Sequence, residues 1–416
     1  MNVKEYVVSV AKAAKKGGSI LAYASTEAKN KVLKTLAVLI EKEKNAILEA
    51  NKKDMEAGKA KGLNAALLDR LLLNESRIEG MIDGIKTVIS IDDPVGYMEE
   101  QKTLPNGLDV GRIRCPLGTI GFIYESRPNA TVEAAILTLK SGNAIVLRGG
   151  SEAFNSNTVL VGLIRKALKE NALPEDAVCF FDRTDRECVN HMLKLNEYID
   201  LIIPRGREEF VKMVVDLSAI PVIRHDQGVC TIYIAKDAKK EMAEAIAVNS
   251  KAQRPGVCNA SENIIFDADF PYIKDVLQAL YDHNVEIRGC EKICRIFKNA
   301  KTASADEWSK EYLDLIIGAK VVSDTDEAID FINTYGSHHS DAIITESYSL
   351  SRQFLKRVDS AAVYVNASTR FTDGGEFGLG AEIGIATSKL HARGPMGLKE
   401  LTTIKWIIMG DGQVRG

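Results

Sequence analysis

The sequence predicts an α/β chain whose parallel sheets are covered by helices on both faces, divided into two or three domains. Three observations carry that reading. Short apolar runs alternate with helix-patterned segments from residue 119 onward. The runs are continuous rather than alternating, which is how strands buried on both faces read. The chain has 416 residues, more than one typical domain, and holds no internal repeat or low-complexity linker.

Taken in order, the first 90 residues read as helical. Between Thr26 and Met55 apolar residues fall at 32, 33, 36, 40, 47 and 48, a helical stripe with Ser25 and Thr26 available as N-caps. The stretch QKTLPNGLDVGRIR (101–114) sets an Asn-Gly turn between short arms, a hairpin signature with a polar outer face. Strands are expected at 119–124, 143–149, 177–182, 200–204, 221–225 and 230–234, with helices at 131–140, 153–170, 185–197, 207–217 and 238–249. A second α/β stretch follows, with strands at 263–266, 315–322, 341–346 and 362–366 and helices near 271–283, 325–334 and 348–357. The Gly-rich loop STRFTDGGEFGLGAEIG then leads to a last strand at 402–410. Sheets of this kind bind ligands at the carboxyl ends of their strands.

Net charge is −3 and the sequence pI about 6.2, so no global field draws nucleic acid or an anionic membrane, and any anion site is local. The N-terminal residues lack the apolar core of a secretion signal, and no run approaches the ~20 apolar residues of a membrane helix. Seven cysteines, sparse and odd in number, fit reduced thiols and a cytoplasmic location.

Two glycine runs, Gly378-x-Gly380 with Gly384 and Gly410-x-Gly412 with Gly416, lack the strand, helix and downstream acid that a dinucleotide fingerprint requires. Gly149-Gly150-Ser151 follows a strand and precedes a helix; it reads either as a phosphate cradle or as a plain strand-to-helix turn. His338-His339 finds no partner pair at metal-ligand spacing, and Cys290-x-x-x-Cys294 has the wrong spacing for a zinc knuckle, so no metal is expected. Cys258 stands apart in KAQRPGVCNA. Pro255-Gly256 forces a non-helical turn, and Lys251 and Arg254 are expected to lower the thiol pKa. Such a turn offers a thiolate and its own N–H together. Cys230, inside a strand, reads as core. A cysteine protease would need a histidine in a companion motif, and none is recognisable; an acyl thioester exchanged against hydride suits a nucleotide-binding sheet better.

The segment SKAQRPGVCNASE closely resembles the cysteine segment of the γ-glutamyl phosphate reductases, a branch of the aldehyde dehydrogenase superfamily. Further resemblance runs in order through GFIYESRPNATVEAAILTLKSGNAIVLRGGSEAFNSN (121–157), DLIIPRG (200–206), RGCEK (288–292), EWSKEYLDLIIG (307–318), FINTYGSHHSDAIITE (331–346) and the stretch 361–406. It implies an aldehyde dehydrogenase-like fold: a Rossmann-type NADPH-binding domain (1–97 and 117–250), an α/β catalytic domain (251–386), and a small β oligomerisation arm from the hairpin and C-terminal strand (98–116 and 387–416). It also implies NADPH-dependent reduction of L-glutamate 5-phosphate to L-glutamate 5-semialdehyde with release of phosphate, the second step of proline synthesis. A homo-oligomer and a transient complex with glutamate 5-kinase belong to the same expectation. No nucleic acid or membrane partner does.

In the implied mechanism Cys258 attacks the acyl phosphate, and the carbonyl oxygen goes to the Cys258 N–H and a side-chain amide. Asn129 is the candidate amide, or else a helix N-cap. Arg148, Gly149, Gly150 and Ser151 would hold the adenosine end of NADPH. Glu311 would reach the nicotinamide ribose, or form a surface ion pair. The anionic substrate calls for arginines, with Arg127, Arg254 and Arg370 as the candidates and surface salt bridges as their alternative. RHDQGVC (224–230) lacks the Glu-Leu-Gly-Gly pattern of oxidative relatives, which disfavours hydrolysis of the thioester. A CoA-acylating relative or a non-catalytic scaffold for the kinase are the other readings. Two positions depart from the family pattern: Arg207-Glu208-Glu209 follows Gly206, where further glycines are usual, and Thr231 replaces a histidine. The first is expected to alter the grip on the cofactor.

Overall fold

The computed structural model describes residues 1–125, 127–206, 208–224 and 227–415, with Ala66 described by its backbone alone. Arg207 of the departing loop, His225 and Asp226 ahead of Cys230, and Gly416 of the last glycine run lie outside the described residues.

The N-terminal region is helical, as its patterning demands: Val3–Leu21, Thr26–Lys42, Lys44–Ala60, Ala65–Leu71 and Glu75–Ser90. Ser25 caps the second helix by accepting the Ala28 N–H at 3.2 Å, while Thr26 donates its hydroxyl to Asp93 at 2.8 Å. The apolar stripe expected through Met55 is divided at Glu43, whose φ of −98° and ψ of 18° start a new helix. Ile40 and Ile47 are both buried, one on each helix, so a single stripe served two elements.

Strands Val178–Phe180, Ala144–Gly149, Thr119–Tyr124 and Leu201–Arg205 lie side by side in that order, all parallel. Their side chains divide by the two-residue period of a strand. Ile120, Phe122, Ile145 and Leu147 pack with the apolar faces of the second, third and fifth helices and with Pro128–Lys140 and Phe154–Glu170. Ile123, Val146 and Ile202 face Val7, Ala11 and Ala14 of the first helix and Cys188 and Val189 of Glu187–Met192.

A second sheet holds seven parallel strands in the order Lys301–Thr302, Glu286–Gly289, Ile316–Val322, Ser261–Asp267, Cys230–Ile234, Ser340–Ile344 and Ala362–Val365. Here the sequence grouping is corrected. The run 230–234, read as the last strand of the first sheet, sits inside the second, between Ser261–Asp267 and Ser340–Ile344. The sheet therefore changes before Cys230, and helix Lys240–Ala252 packs in the second unit rather than closing the first at 250. Continuous apolar strands look alike in sequence, and parallel pairing is set by distant partners. Among the described residues of the strand expected at 221–225, a single bridge forms, Val222 with Ile202. Glu286–Gly289 and Lys301–Thr302 are too short to stand out as runs.

The hairpin forms from Met98–Thr103 and Asp109–Pro116, with Gly107 at φ +84° in its turn. Strand Thr402–Met409 pairs antiparallel along Asp109–Pro116, making a three-stranded arm. Its outer edge carries exposed apolar side chains, Trp406 at 56% and Ile408 at 57%.

One long-range clasp fixes the helix that follows Gly149-Gly150-Ser151. Buried Asp54 accepts the N–H groups of Asn155 (3.1 Å) and Ser156 (2.8 Å), the Asn155 amide (2.8 Å) and the Ser156 hydroxyl (2.6 Å). It caps the first turn of Phe154–Glu170 with an anion from a helix far away in sequence. Asp54→Ala is expected to lower the free energy of urea unfolding by about 2 kcal/mol. An unchanged urea midpoint would show that the clasp contributes nothing.

Candidate active site

Cys258 lies in the turn between helix Lys240–Ala252 and strand Ser261–Asp267, where Pro255-Gly256 ends any helical continuation. Its side chain is partly accessible. The segment entering strand Cys230–Ile234 crosses directly over it. A Cβ built on Gly228 would fall well under 3.0 Å from the carbonyl oxygen, Cα and carbonyl carbon of Cys258. The Gly228 N–H donates to Glu311 Oε1 at 2.9 Å, and the buried Cys230 thiol donates to the Cys258 carbonyl at 3.2 Å. Cys230 is a core residue, as its strand position implied.

The charges around the sulfur differ from expectation. Lys251 does not face the thiol: its ammonium meets Glu262 at 2.7 Å, with both side chains fully buried. Burial pushes Lys251 down and Glu262 up to about 7, each opposed by the other's charge. The Cys258 thiol is itself pushed up to about 11, by burial first and then by the carboxylates of Glu311 and Glu382, with Arg205 acting the other way. The expected lowering by Lys251 and Arg254 is therefore overturned. A cation near in sequence has been spent on another carboxylate.

The three candidate arginines do gather. Burial depresses Arg127, as do the neighbouring cations Arg205, Arg70 and Arg254, while Glu133 opposes them. Arg370 is depressed by burial and by Arg254, with Cys258 acting in its favour. Arg127 and Arg254 form no hydrogen bond or ion pair through their side chains with the described residues. Arg370 donates Nε to Gln253 at 2.9 Å and Nη1 to Asn259. Asn129 is the second residue of helix Pro128–Lys140 and not its N-cap, which is Arg127; its amide donates to Glu133 at 2.8 Å. Glu311 makes no ion pair among the described residues, and burial holds its carboxyl above the usual range.

At the carboxyl end of the four-stranded sheet, Arg148 closes strand Ala144–Gly149. Its Nη1 donates to Gly149 O and its Nη2 to Thr184 O at 3.2 Å, leaving the buried Nε without a partner. Gly149 is required by packing: a Cβ there would meet the Asn157 amide and approach the Tyr124 ring to 3.1 Å. Gly150 and the exposed Ser151 lead into the short turn Ser151–Ala153. The helix amides at Asn155 and Ser156 are occupied by Asp54, so those two are not open to an outside anion. Among the described residues no group of three His, Cys, Asp or Glu is arranged to hold a metal.

Sequence reasoning missed Arg205, Glu382, Asn259, Glu262 and Gly228. Arg205 had a signal, since it closes a strand at the carboxyl end where such sheets meet ligands. Glu382 is pushed up to about 7 by burial and by Asp373, with Arg205 opposing. No local pattern marked the others.

Two outcomes follow from this geometry. The alkylation rate of Cys258 in the unliganded protein should climb with pH toward a midpoint near 11, with no plateau at neutral pH. A stopped-flow iodoacetamide profile that levels off below pH 8.5 would contradict the buried, carboxylate-flanked thiol. Gly228→Ala must displace the cysteine turn, and turnover should fall by about 100-fold or more; wild-type turnover in that variant would show the approach to be slack.

No family model matches the chain. The γ-glutamyl phosphate reductase of Caldanaerobacter subterraneus subsp. tengcongensis is 51% identical over 407 residues, covering 97% of this chain and 98% of that one. The crystal structure of γ-glutamyl phosphate reductase from Thermotoga maritima superposes with a TM-score of 0.97 at 46% identity, covering 99% of this chain and 100% of the other. An acetylating aldehyde dehydrogenase from Geobacillus thermoglucosidasius shares the fold, with a TM-score of 0.70 at 15% identity, covering 100% of this chain and 98% of that one. A partly accessible cysteine held where two parallel-sheet units meet, with Arg205 and Arg370 acting on it, thus stands on an aldehyde dehydrogenase fold, and the chain belongs to the γ-glutamyl phosphate reductases.

Proposed function

We propose that the reaction of this family, reduction of L-glutamate 5-phosphate to L-glutamate 5-semialdehyde in proline biosynthesis, runs in this chain through a thioester on Cys258. The observation that carries it is the cysteine turn itself, pressed against Gly228 and faced by Arg205 and Arg370. The Cys258 sulfur attacks the C5 carbonyl, the carbon–oxygen bond to the phosphoryl group breaks, and phosphate departs with its electron pair. The thiol proton needs an acceptor, and Glu382, held near 7 and close enough to act on Cys258, suits that task. The N–H of Cys258 and the Asn129 amide are proposed as donors to the carbonyl oxygen, the amide turning from Glu133 to do so. Arg127, Arg254 and Arg370 hold the substrate's carboxylate and phosphoryl groups, and their mutual repulsion is relieved when those anions enter.

A nicotinamide cofactor serves the reduction, and NADPH is the form proposed. It supplies the hydride that releases the aldehyde from sulfur. The residues present fit it: the buried Arg148 Nε lacks a partner, and Gly150 and Ser151 present amides at the carboxyl end of the first sheet. Gly149 admits the close packing beneath, and Glu311, near the thiol, would meet the nicotinamide ribose. The domain roles follow: the four-stranded unit for cofactor, the seven-stranded unit for chemistry, the arm for assembly. Exposed Trp406 and Ile408 on the open edge of Thr402–Met409 support self-association into a homo-oligomer. Among the described residues no helix is long and apolar enough to cross a membrane. The free cysteines support work in the cytoplasm, and the lability of an acyl phosphate supports a transient complex with the kinase that makes it.

The test runs the reaction backward, with glutamate semialdehyde, NADP⁺ and phosphate, following absorbance of the reduced cofactor. Phosphate-dependent turnover is expected, and Cys258→Ala should lower it by about 10³-fold or more. Phosphate-independent turnover would point to an oxidative dehydrogenase, and full activity of Cys258→Ala would end the covalent mechanism.

A further inference from the structure

We propose that Asn259 is a positioning residue whose side chain locks Arg370 at a set span from the Cys258 sulfur, so that the site measures the length of the substrate's carbon chain. This rests on the reading of Arg370 as a substrate-binding cation. Asn259 directly follows the nucleophile and is buried. Its Oδ1 accepts from Arg370 Nη1, and its Nδ2 donates to the carbonyl oxygens of Thr372 at 2.8 Å and Arg370 at 3.3 Å. Thr369 Oγ1 donates to the Asn259 carbonyl at 2.7 Å. Gln253, in the same turn as the nucleophile, accepts Arg370 Nε at 2.9 Å.

A planar guanidinium held at both Nε and Nη1 cannot swing. Arg370 Nη2 is left with no hydrogen bond among the described residues. The loop 369–372 is thus bolted to the residue beside the sulfur, and the span from sulfur to Nη2 becomes a property of one turn. An acyl phosphate reaches both only if its anionic end lies at the matching distance from the carbonyl carbon. A homologue one methylene shorter satisfies one contact and misses the other, a difference worth about 10–200-fold in such sites.

The test compares, in the reverse direction, the five-carbon semialdehyde of glutamate with the four-carbon semialdehyde of aspartate. Asn259→Ala should raise KM for the five-carbon substrate about tenfold, change kcat less than about threefold, and cut the preference for five carbons over four about tenfold. Arg370→Ala should give the same pattern, and the double variant no more than Arg370→Ala alone. Gln253→Ala, which removes only an exposed bond, should move KM the same way by about threefold, and stands in if Asn259→Ala does not fold.

A second reading needs no substrate. A guanidinium held by the sulfur favours iodoacetate over iodoacetamide, and the ratio of their rates at Cys258, corrected with Cys258→Ala, should fall about threefold in Asn259→Ala and Arg370→Ala alike. Unchanged KM with an unchanged alkylation ratio would overturn the proposal, as would a loss confined to kcat or additive effects in the double variant. Wild-type protein that turned over neither semialdehyde would defeat the functional reading instead, and the alkylation ratio would still decide the role of Asn259.

Discussion

The main chain at Gly228 lies so close to Cys258 that only a hydrogen fits between them, and the rest of the site is arranged around that approach. This is where the chain leaves the four-stranded unit and enters the middle of the seven-stranded one. The contact sets Cys258 against both units at once. Glu311 holds the Gly228 N–H and Cys230 holds the Cys258 carbonyl, so the segments around 228–230, 258 and 311 are tied together. The glycine is needed for space, not for an unusual backbone angle, since its φ is not among the positive ones.

Beneath the turn, the Lys251–Glu262 pair stabilises by completion rather than by attraction. Two charges taken wholly out of water cost several kcal/mol each, and their mutual contact roughly offsets that; removing either partner leaves an uncompensated ion. The pair also reaches the neighbouring loop, because Glu262 accepts the Leu313 N–H at 3.4 Å, two residues from Glu311. The lysine thereby organises the surroundings of the cysteine without lending it charge. The cations that do act at the sulfur, Arg205 and Arg370, come from distant segments of the chain.

Much of this was legible in the sequence, and the limits have physical causes. Long apolar runs such as 119–124 and 316–322, the Asn106-Gly107 turn and the Pro255-Gly256 break all declare themselves locally, because each is decided by its own residues. The pairing of 230–234 is decided by strands on either side of it in space, and its own residues say nothing of that. The same holds for side chains. Lys251 read as a cation for the thiol until Glu262 claimed it, and the amides after Ser151 read as free until Asp54 claimed two of them. Arg127, Arg254 and Arg370 were singled out in the sequence because an anionic substrate demands cations. Asn259 was not, because holding an arginine still leaves no mark on composition or spacing.

The raised thiol has a consequence for the protein's lifetime. Peroxide and other stray electrophiles react with the thiolate, and the exposed, low-pKa cysteines of redox sensors are the ones they find first. At neutral pH a thiol held near 11 is almost wholly protonated, so between turnovers Cys258 offers oxidants little to attack. The burial and carboxylates that keep this thiol protonated thereby shield it as well. Facing the same oxidant, thiols held as thiolate are consumed before one that stays protonated.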